Sequence, residues 1–412
     1  MGRVHRRLKH LVFPTFELHP VNPGGAGVLL AGAVPLLARA GHRVTVLCDF
    51  ADAEVERARA LFAGVGLDPG RVELVSLRSL APGLASGGNV FEVNSERFAR
   101  GLARLAEAGP IDYVEFPEYA GMALATLRRH REGFLPQTLV ALRIHGSLEF
   151  IDRAEGVAPD AARLRMWEME REGLRLADAL LTPSDALGRH YASTYGLDVR
   201  VLFVSPPPME ELLRGLSPAP RLPDPGHFLF YGKLQEVKGC VQFAEAAVRL
   251  LLDSPDGGFR FTFIGRDVPC AKHACMTSAC LARVIPDDVR EAFEFVLGIN
   301  RNALGQYVRR PVAAVVPSRF ETFCLAAHEL RAVGLPLIVP RIPGFVDWLN
   351  EATGCVQYDG TANGLMHAMR RVHDNATLRL ELERAPTPRY PPFIAAYERL
   401  LREPPGVLPR EA

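Results

Sequence analysis

Short, almost uninterrupted apolar runs recur along this chain, among them RVTVLC at residues 43–48, TLVALRI at 138–144, HFLFY at 227–231 and PLIVP at 336–340. A strand wetted on one face alternates apolar and polar side chains, so a run that is apolar throughout needs both faces covered. Between these runs lie segments of helical periodicity, such as residues 95–108 and 160–177, the latter carrying Leu164, Trp167, Leu174 and Leu176 among charges. Strands and helices that take turns predict an α/β fold with parallel sheets and helices on both sides. A chain of 412 residues exceeds what one hydrophobic core usually organises, so two doubly wound, Rossmann-like domains are expected.

Proline marks the join. Ser205-Pro206-Pro207-Pro208 and the later SPAPRLPDPG read as a linker over residues 205–226, after a first domain over 1–204 and before a second over 227–385. A last helix, at 391–401, falls in the remaining segment 386–412.

Lys plus Arg number 48 against 47 Asp plus Glu, so no global field recruits nucleic acid or a membrane. Basic runs at residues 3–9 and at Arg128, Arg129 and Arg131 read as solvated faces, with peripheral contact to a membrane or an anionic acceptor as the alternative. The start has too short an apolar run for a signal peptide or a membrane span, and a cytoplasmic location is expected. Seven cysteines at irregular spacings argue for reduced thiols rather than a disulfide framework.

Chemistry concentrates in VVPSRFETFCLAAHELRAVGLPLIVP, residues 315–340, read as strand, turn, helix and strand. Glu321 and Glu329 are eight residues apart. On a helix that separation advances about 12 Å and returns nearly to the same face, so two carboxylates would grip one elongated ligand at two points. Thr322, Phe323 and Cys324 are expected to form the first helical turn, whose unpaired N–H groups and dipole favour a phosphate. The reach and the anion site together suit a sugar joined through a diphosphate to a ribose.

Two further places fit that reading. Asn22-Pro23-Gly24-Gly25-Ala26-Gly27 opens a helix after the first strand, where glycine lets backbone amides approach phosphate. A dinucleotide fingerprint fails there, because counting from Gly25 the third glycine of Gly-x-Gly-x-x-Gly is Leu30, although Asp49 stands about where a ribose-binding acid would. His145 stands at the C-terminal end of the 138–144 strand, where open α/β sheets bind ligands.

Taken in order, Gly24-Gly25, His145, Gly232 through Gly239, Pro317-Ser318 and the Glu321/Glu329 pair resemble the Glu-x7-Glu pattern of the retaining GT-B glycosyltransferases. That large family-4-like, group 1 class includes many bacterial polysaccharide glycosyltransferases and sucrose synthase, and the resemblance runs along most of the chain. It implies the GT-B fold, with two Rossmann-like domains facing across a cleft, the first on the acceptor side and the second binding the donor. It also implies that the last helix crosses back to the first domain. The activity implied is metal-independent, retaining transfer from a UDP- or GDP-sugar to a small-molecule, glycan or lipid-linked acceptor, with no cofactor. His145 and Glu321 take the catalytic places by this resemblance; Gly25, Lys233, Lys238, Glu321, Thr322, Phe323, Cys324 and Glu329 take the donor-binding ones.

Two positions depart from the pattern. Lys233 stands where arginine is usual, keeping the charge but losing the planar grip, and Cys324 stands where glycine is preferred. No Asp-x-Asp motif is present to hold a metal for the diphosphate, so Lys233, Lys238 and helix dipoles are expected to meet the departing charge. VPCAKHACMTSAC brings Cys270, His273, Cys275 and Cys280 into eleven residues, which invites a zinc reading. None of its spacings is Cys-x2-Cys, however, so no metal is expected and the segment reads as a loop and helix near the base pocket. A sugar-nucleotide epimerase of the same fold and a decayed nucleotide-sugar-binding protein remain open as alternatives.

Overall fold

The computed structural model describes residues 8–22, 24–64, 70–80, 89–218, 220–298 and 304–405. Residues 3–7 of the N-terminal basic run, Pro23, and 301–303 of a helix expected at 301–308 lie outside them. The chain divides into two compact units, one of Met1–Glu149, Pro159–Leu212 and Tyr390–Ala412, the other of Phe150–Ala158 and Leu213–Arg389.

The first unit is built on β1 (His10–Thr15), β2 (Arg43–Cys48), β3 (Val72–Ser76), β4 (Tyr113–Pro117), β5 (Leu139–Arg143), β6 (Ala179–Thr182) and β7 (Leu202–Val204). They form one sheet in the order β3-β2-β1-β4-β5-β6-β7, every pair parallel. The second unit repeats the plan with β8 (Asp224–Tyr231), β9 (Arg260–Gly265), β10 (Phe293–Leu297), β11 (Pro311–Val315), β12 (Leu337–Pro340) and β13 (Cys355–Tyr358). Its order is β10-β9-β8-β11-β12-β13, again parallel throughout. In each sheet the order reverses once, between β1 and β4 and between β8 and β11. Loops leaving the C-terminal ends of those two strands diverge, which opens a crevice there.

Both faces of the second sheet are buried at its centre, as the unbroken apolar runs require. Phe228 and Phe230 of β8 pack with Phe243, Phe261 and Phe263 on one side, while Leu229 between them packs with Ile264, Ala314 and Leu330 on the other. In the first unit, Leu11, Phe13, Val44, Val46 and Ala141 share a core with Phe393, Tyr397 and Leu400 of the last helix, Phe393–Arg402.

That helix is fixed by charge as well as by apolar contact. Arg143, the last residue of β5, is 2 % exposed, and its Nε meets Glu115 Oε1 of β4 at 2.6 Å. Its other nitrogens donate to Ser205 O at 2.9 Å and Tyr397 Oη at 2.8 Å, and the Tyr397 and Tyr113 hydroxyls both donate to Glu115.

Residues 150–158, assigned by sequence to the first domain, fall in the second unit. Phe150 stacks on Phe320 with ring centroids 4.9 Å apart, and Glu155 Oε1 accepts the Val237 N–H at 2.9 Å. No helix among the described residues is long and apolar enough to cross a membrane.

Candidate functional site

In the second unit, β8 and β11 lie side by side at the reversal, and the loops that leave them carry Lys238 and Glu321. Adjacent strands therefore bring together residues 83 positions apart: Lys238 Nζ lies 2.6 Å from Glu321 Oε1. Ser318 Oγ donates to the same oxygen at 3.0 Å. Glu321 is buried, whereas the Lys238 side chain keeps 32 % of its exposure and so meets solvent on one side. Burial works against the lysine charge, and the Glu321 carboxylate more than offsets it, holding the amine above its ordinary pKa. The result is a fixed cation at the C-terminal edge of the sheet.

The two loops touch backbone to backbone. Arg319 N–H donates to Val237 O at 2.8 Å. Gly239 adopts φ +73°, and a Cβ there would lie 1.9 Å from Pro317 O; one at Gly344 would lie 2.1 Å from Glu321 O. Glycine at these points is what permits the approach.

The helix after Glu321 starts later than the spacing suggested. It runs Leu325–Ala332, so Thr322, Phe323 and Cys324 do not form its first turn, and Glu321 precedes the helix on which Glu329 lies. Cys324 is the residue before the first turn, at φ 64° and ψ 76°, a left-handed conformation that ends any helix running through it. Phe323 is buried and stacks on His328 at 4.0 Å, while His328 Nε2 pairs with Phe323 O at 3.1 Å, so this ring anchors the helix start. Burial keeps His328 neutral, with its pKa lowered to about 3.

The left-handed backbone explains why glycine suits position 324. Strain of about 1–2 kcal/mol for a side chain there, less about 0.5–1 kcal/mol for the greater freedom of unfolded glycine, leaves a small net gain. Cys324→Gly is expected to stabilise the protein by about 0.5–1 kcal/mol, read from urea midpoints at constant slope. A destabilised variant would mean that the thiol contributes more than its backbone costs.

Glu329 lies half-buried on the Leu325–Ala332 helix, Thr322 is also half-buried, and Lys233 is exposed in the turn after β8. Of the residues assigned by resemblance in this unit, the structure brings Lys238, Glu321 and Cys324 together.

In the first unit, Gly25 begins the helix Gly25–Arg39 at the end of the loop that follows β1. The space beside Gly24 is taken by the Glu17 carboxylate, which accepts the Gly27 N–H at 3.2 Å and would collide with a Cβ on Gly24 at 2.0 Å. An anionic group thus already sits at this glycine turn, and it belongs to the chain.

His145 follows β5, held by its backbone. Its N–H donates to Glu118 Oε2 at 2.7 Å and that of Gly146 to Oε1 at 2.6 Å, with Tyr191 Oη at 3.1 Å from Oε1. Burial, then the Arg143 charge, hold the imidazole well below its usual pKa, so it is neutral. A second buried carboxylate, Glu170, accepts from the N–H groups of Ala120 at 2.8 Å and Leu148 at 3.0 Å. Burial pushes Glu118 up to about 7 and Glu170 up to about 8. Sequence reading passed over both. Glu118 had a signal, since it stands directly after β4, at the same end of the sheet as His145 beyond β5; Glu170, inside a helix of many charges, had none.

The basic run at 128–131 is satisfied internally. Arg128 pairs with Glu172 and Arg129 with Glu96, each at 2.6 Å, and Arg131 donates to Leu176 O at 3.0 Å. A cavity of about 650 Å³ lies at the other end of the second sheet, lined by Asp224, His227, Arg260, Glu294 and Arg310, and shares no residue with the Lys238 cluster.

Comparison with known proteins agrees with this geometry. The family model described as Glycosyltransferase Family 4 matches residues 23–208, and that described as Glycosyl transferases group 1 matches residues 225–375. A D-inositol 3-phosphate glycosyltransferase of Kineococcus radiotolerans is 25% identical over 245 residues, 55% of each chain. A glycogen synthase of Mycobacterium tuberculosis is 29% identical over 152 residues, 37% of this chain and 34% of the relative. The match with the inositol phosphate glycosyltransferases spans about half the length of each. Among solved structures, the sucrose-phosphate synthase of Thermosynechococcus elongatus superposes with a TM-score of 0.64 at 16% identity, covering 96% of this chain and 98% of the other. That likeness gives the chain the GT-B fold.

Proposed function

Because the chain belongs to the glycosyltransferases of the family 4, group 1 type, we propose that it moves a sugar from a nucleoside diphosphate donor to an acceptor with retention of anomeric configuration. The observation that carries the reading is the Lys238–Glu321–Ser318 cluster at the reversal of the second sheet.

A diphosphate leaving the anomeric carbon gains negative charge on its bridging oxygen. An ammonium already fixed at that place stabilises the charge without having to reorganise. Lys238 is this group, and Glu321 with Ser318 sets its position. As the bond from carbon to leaving oxygen breaks, the acceptor oxygen bonds on the same face, and its proton passes to the departing phosphate. No metal ion on the diphosphate enters this sequence. His145, neutral and held by its backbone, is suited to accept or donate a hydrogen bond to a sugar hydroxyl, and Glu329 to accept from the ribose hydroxyls. The acceptor is a small molecule, a glycan or a lipid-linked saccharide, and the expected setting is the cytoplasm.

Calorimetry with nucleoside diphosphates tests the donor half. Lys238→Ala and Glu329→Ala should each weaken binding by about 1.5–3 kcal/mol, the value of a hydrogen bond to a charged group. Unchanged affinity in both variants would remove the assignment. The catalytic half is read by turnover: His145→Ala and Glu321→Gln should slow the rate more than they weaken donor binding, because charge develops at the sugar only in the transition state. Turnover without any acceptor would make the protein an epimerase; donor binding with no product from any acceptor would make it a nucleotide-sugar-binding protein.

A further inference from the structure

Between Gly265 at the end of β9 and Thr277 at the start of the helix Thr277–Val284, no residue is buried. A stretch of this length with nothing in the core has little to fix its shape, yet it is tightly folded. Pro269 and Met276 pair as an antiparallel bridge, and Cys270 N–H donates to Cys275 O at 2.9 Å and Cys275 N–H to His273 O at 2.8 Å. Asp267 then accepts from Ser278 Oγ at 2.5 Å, closing the base of the loop.

What this knuckle gathers is sulfur and one imidazole. One ligand atom each from Cys270, His273 and Cys280 lies within 4.8 Å of the others, and Cys275 Sγ is 3.4 Å from Cys280 Sγ. Around a tetrahedral zinc ion, bonds of about 2.0–2.3 Å place ligand atoms roughly 3.4–3.8 Å apart. Three of the donors already lie within reach of one ion, and Cys275, beside Cys280, is the neighbour that side-chain rotation would add as the fourth. Three thiolates and an imidazole are soft donors that suit zinc and exclude calcium or magnesium, which take oxygen. Four protein ligands leave no open position, the mark of a structural site rather than a catalytic one.

We propose that Cys270, His273, Cys275 and Cys280 bind a structural zinc ion that shapes the loop after β9. The spacing Cys-x2-His followed by x-Cys-x4-Cys hid it from a search for Cys-x2-Cys pairs. The ion has a mechanical connection to the donor side of the unit. Lys272, between the first two ligands, reaches Glu236 Oε1 at 3.4 Å, and Glu236 also holds Arg319 at 2.6 Å. Fixing the loop thus steadies the turn that carries Lys238, while the ion takes no part in sugar transfer.

The test uses the full chain without a histidine tag, produced with zinc in the medium and dialysed against chelator-free, metal-free buffer. Elemental analysis should find one zinc ion per chain, and Cys270→Ser and Cys280→Ser should each lower that content at least tenfold. After unfolding with a chelator all seven cysteines should titrate as thiols. Cobalt added to zinc-stripped wild type gives a second readout that does not depend on the variants folding: tetrahedral thiolate coordination produces intense visible absorption, which equimolar zinc should quench. Less than a tenth of a zinc ion per chain together with no cobalt absorption would overturn the site. A count of five thiols, with Cys275 and Cys280 joined as a disulfide in protein purified under reducing conditions, would overturn it as well.

Discussion

Replacing Glu115 with alanine is expected to destabilise the first unit by about 3–5 kcal/mol, the penalty typical of stripping a buried ion of its partner. Arg143 is 2 % exposed and cannot lose its proton, so the truncated pair leaves a guanidinium in the interior with only neutral partners, Ser205 and Tyr397. The phenols of Tyr113 and Tyr397 lose their common acceptor in the same step. Denaturant unfolding of the single variant, of Arg143→Met and of the Glu115→Leu/Arg143→Met double variant separates these contributions. Because the double variant buries no charge, its loss should fall well short of the sum of the singles. A Glu115→Ala protein within about 1 kcal/mol of wild type would mean that water or another carboxylate reaches Arg143.

Gly239→Ala is expected to lower turnover by roughly 10²-fold, the effect of displacing a catalytic group by about an ångström. Its added methyl would lie 1.9 Å from Pro317 O, so the two loops must part or the turn must rotate. Either movement draws Lys238 from Glu321, because the lysine is the preceding residue. Stability should fall too, by roughly 2–5 kcal/mol, from the left-handed backbone and the overpacking together. Measuring kcat/KM and unfolding on the same preparation distinguishes a misplaced lysine from a poorly folded protein. Wild-type turnover in this variant would show that the approach of the two loops has no catalytic importance.

Much of the architecture could be read beforehand because the central strands, such as β1, β4 and β11, are buried on both faces. HFLFY and TLVALRI leave no polar alternation that would suggest another arrangement, and the turns between them are marked by glycine and proline. The start of the Leu325–Ala332 helix was misjudged for a local reason: glycine announces a left-handed residue, and Cys324 adopts that conformation without announcing it. Glu115, Glu118 and Glu170 were illegible for a different reason. Their partners Arg143, His145 and Leu148 lie 28, 27 and 22 positions away, and only the pairing of β4 with β5 and the docking of the Ala161–Leu176 helix bring them together. The Lys238–Glu321 contact is intermediate, since family resemblance marks both residues while their meeting depends on which strands are neighbours in the sheet.

The docking of Tyr397 on Arg143 also sets an order of events during synthesis. Leu213–Arg389 emerges from the ribosome between the bulk of the first unit and its last helix. At roughly 5–20 residues per second, those 177 residues take about 9–35 s to make. For that interval the first sheet can assemble with Arg143 and Glu115 in place, but the groove that Phe393, Tyr397 and Leu400 will fill stays open to water. The nascent first unit thus waits with one apolar face uncovered, although the second unit, contiguous apart from residues 150–158, can already be complete.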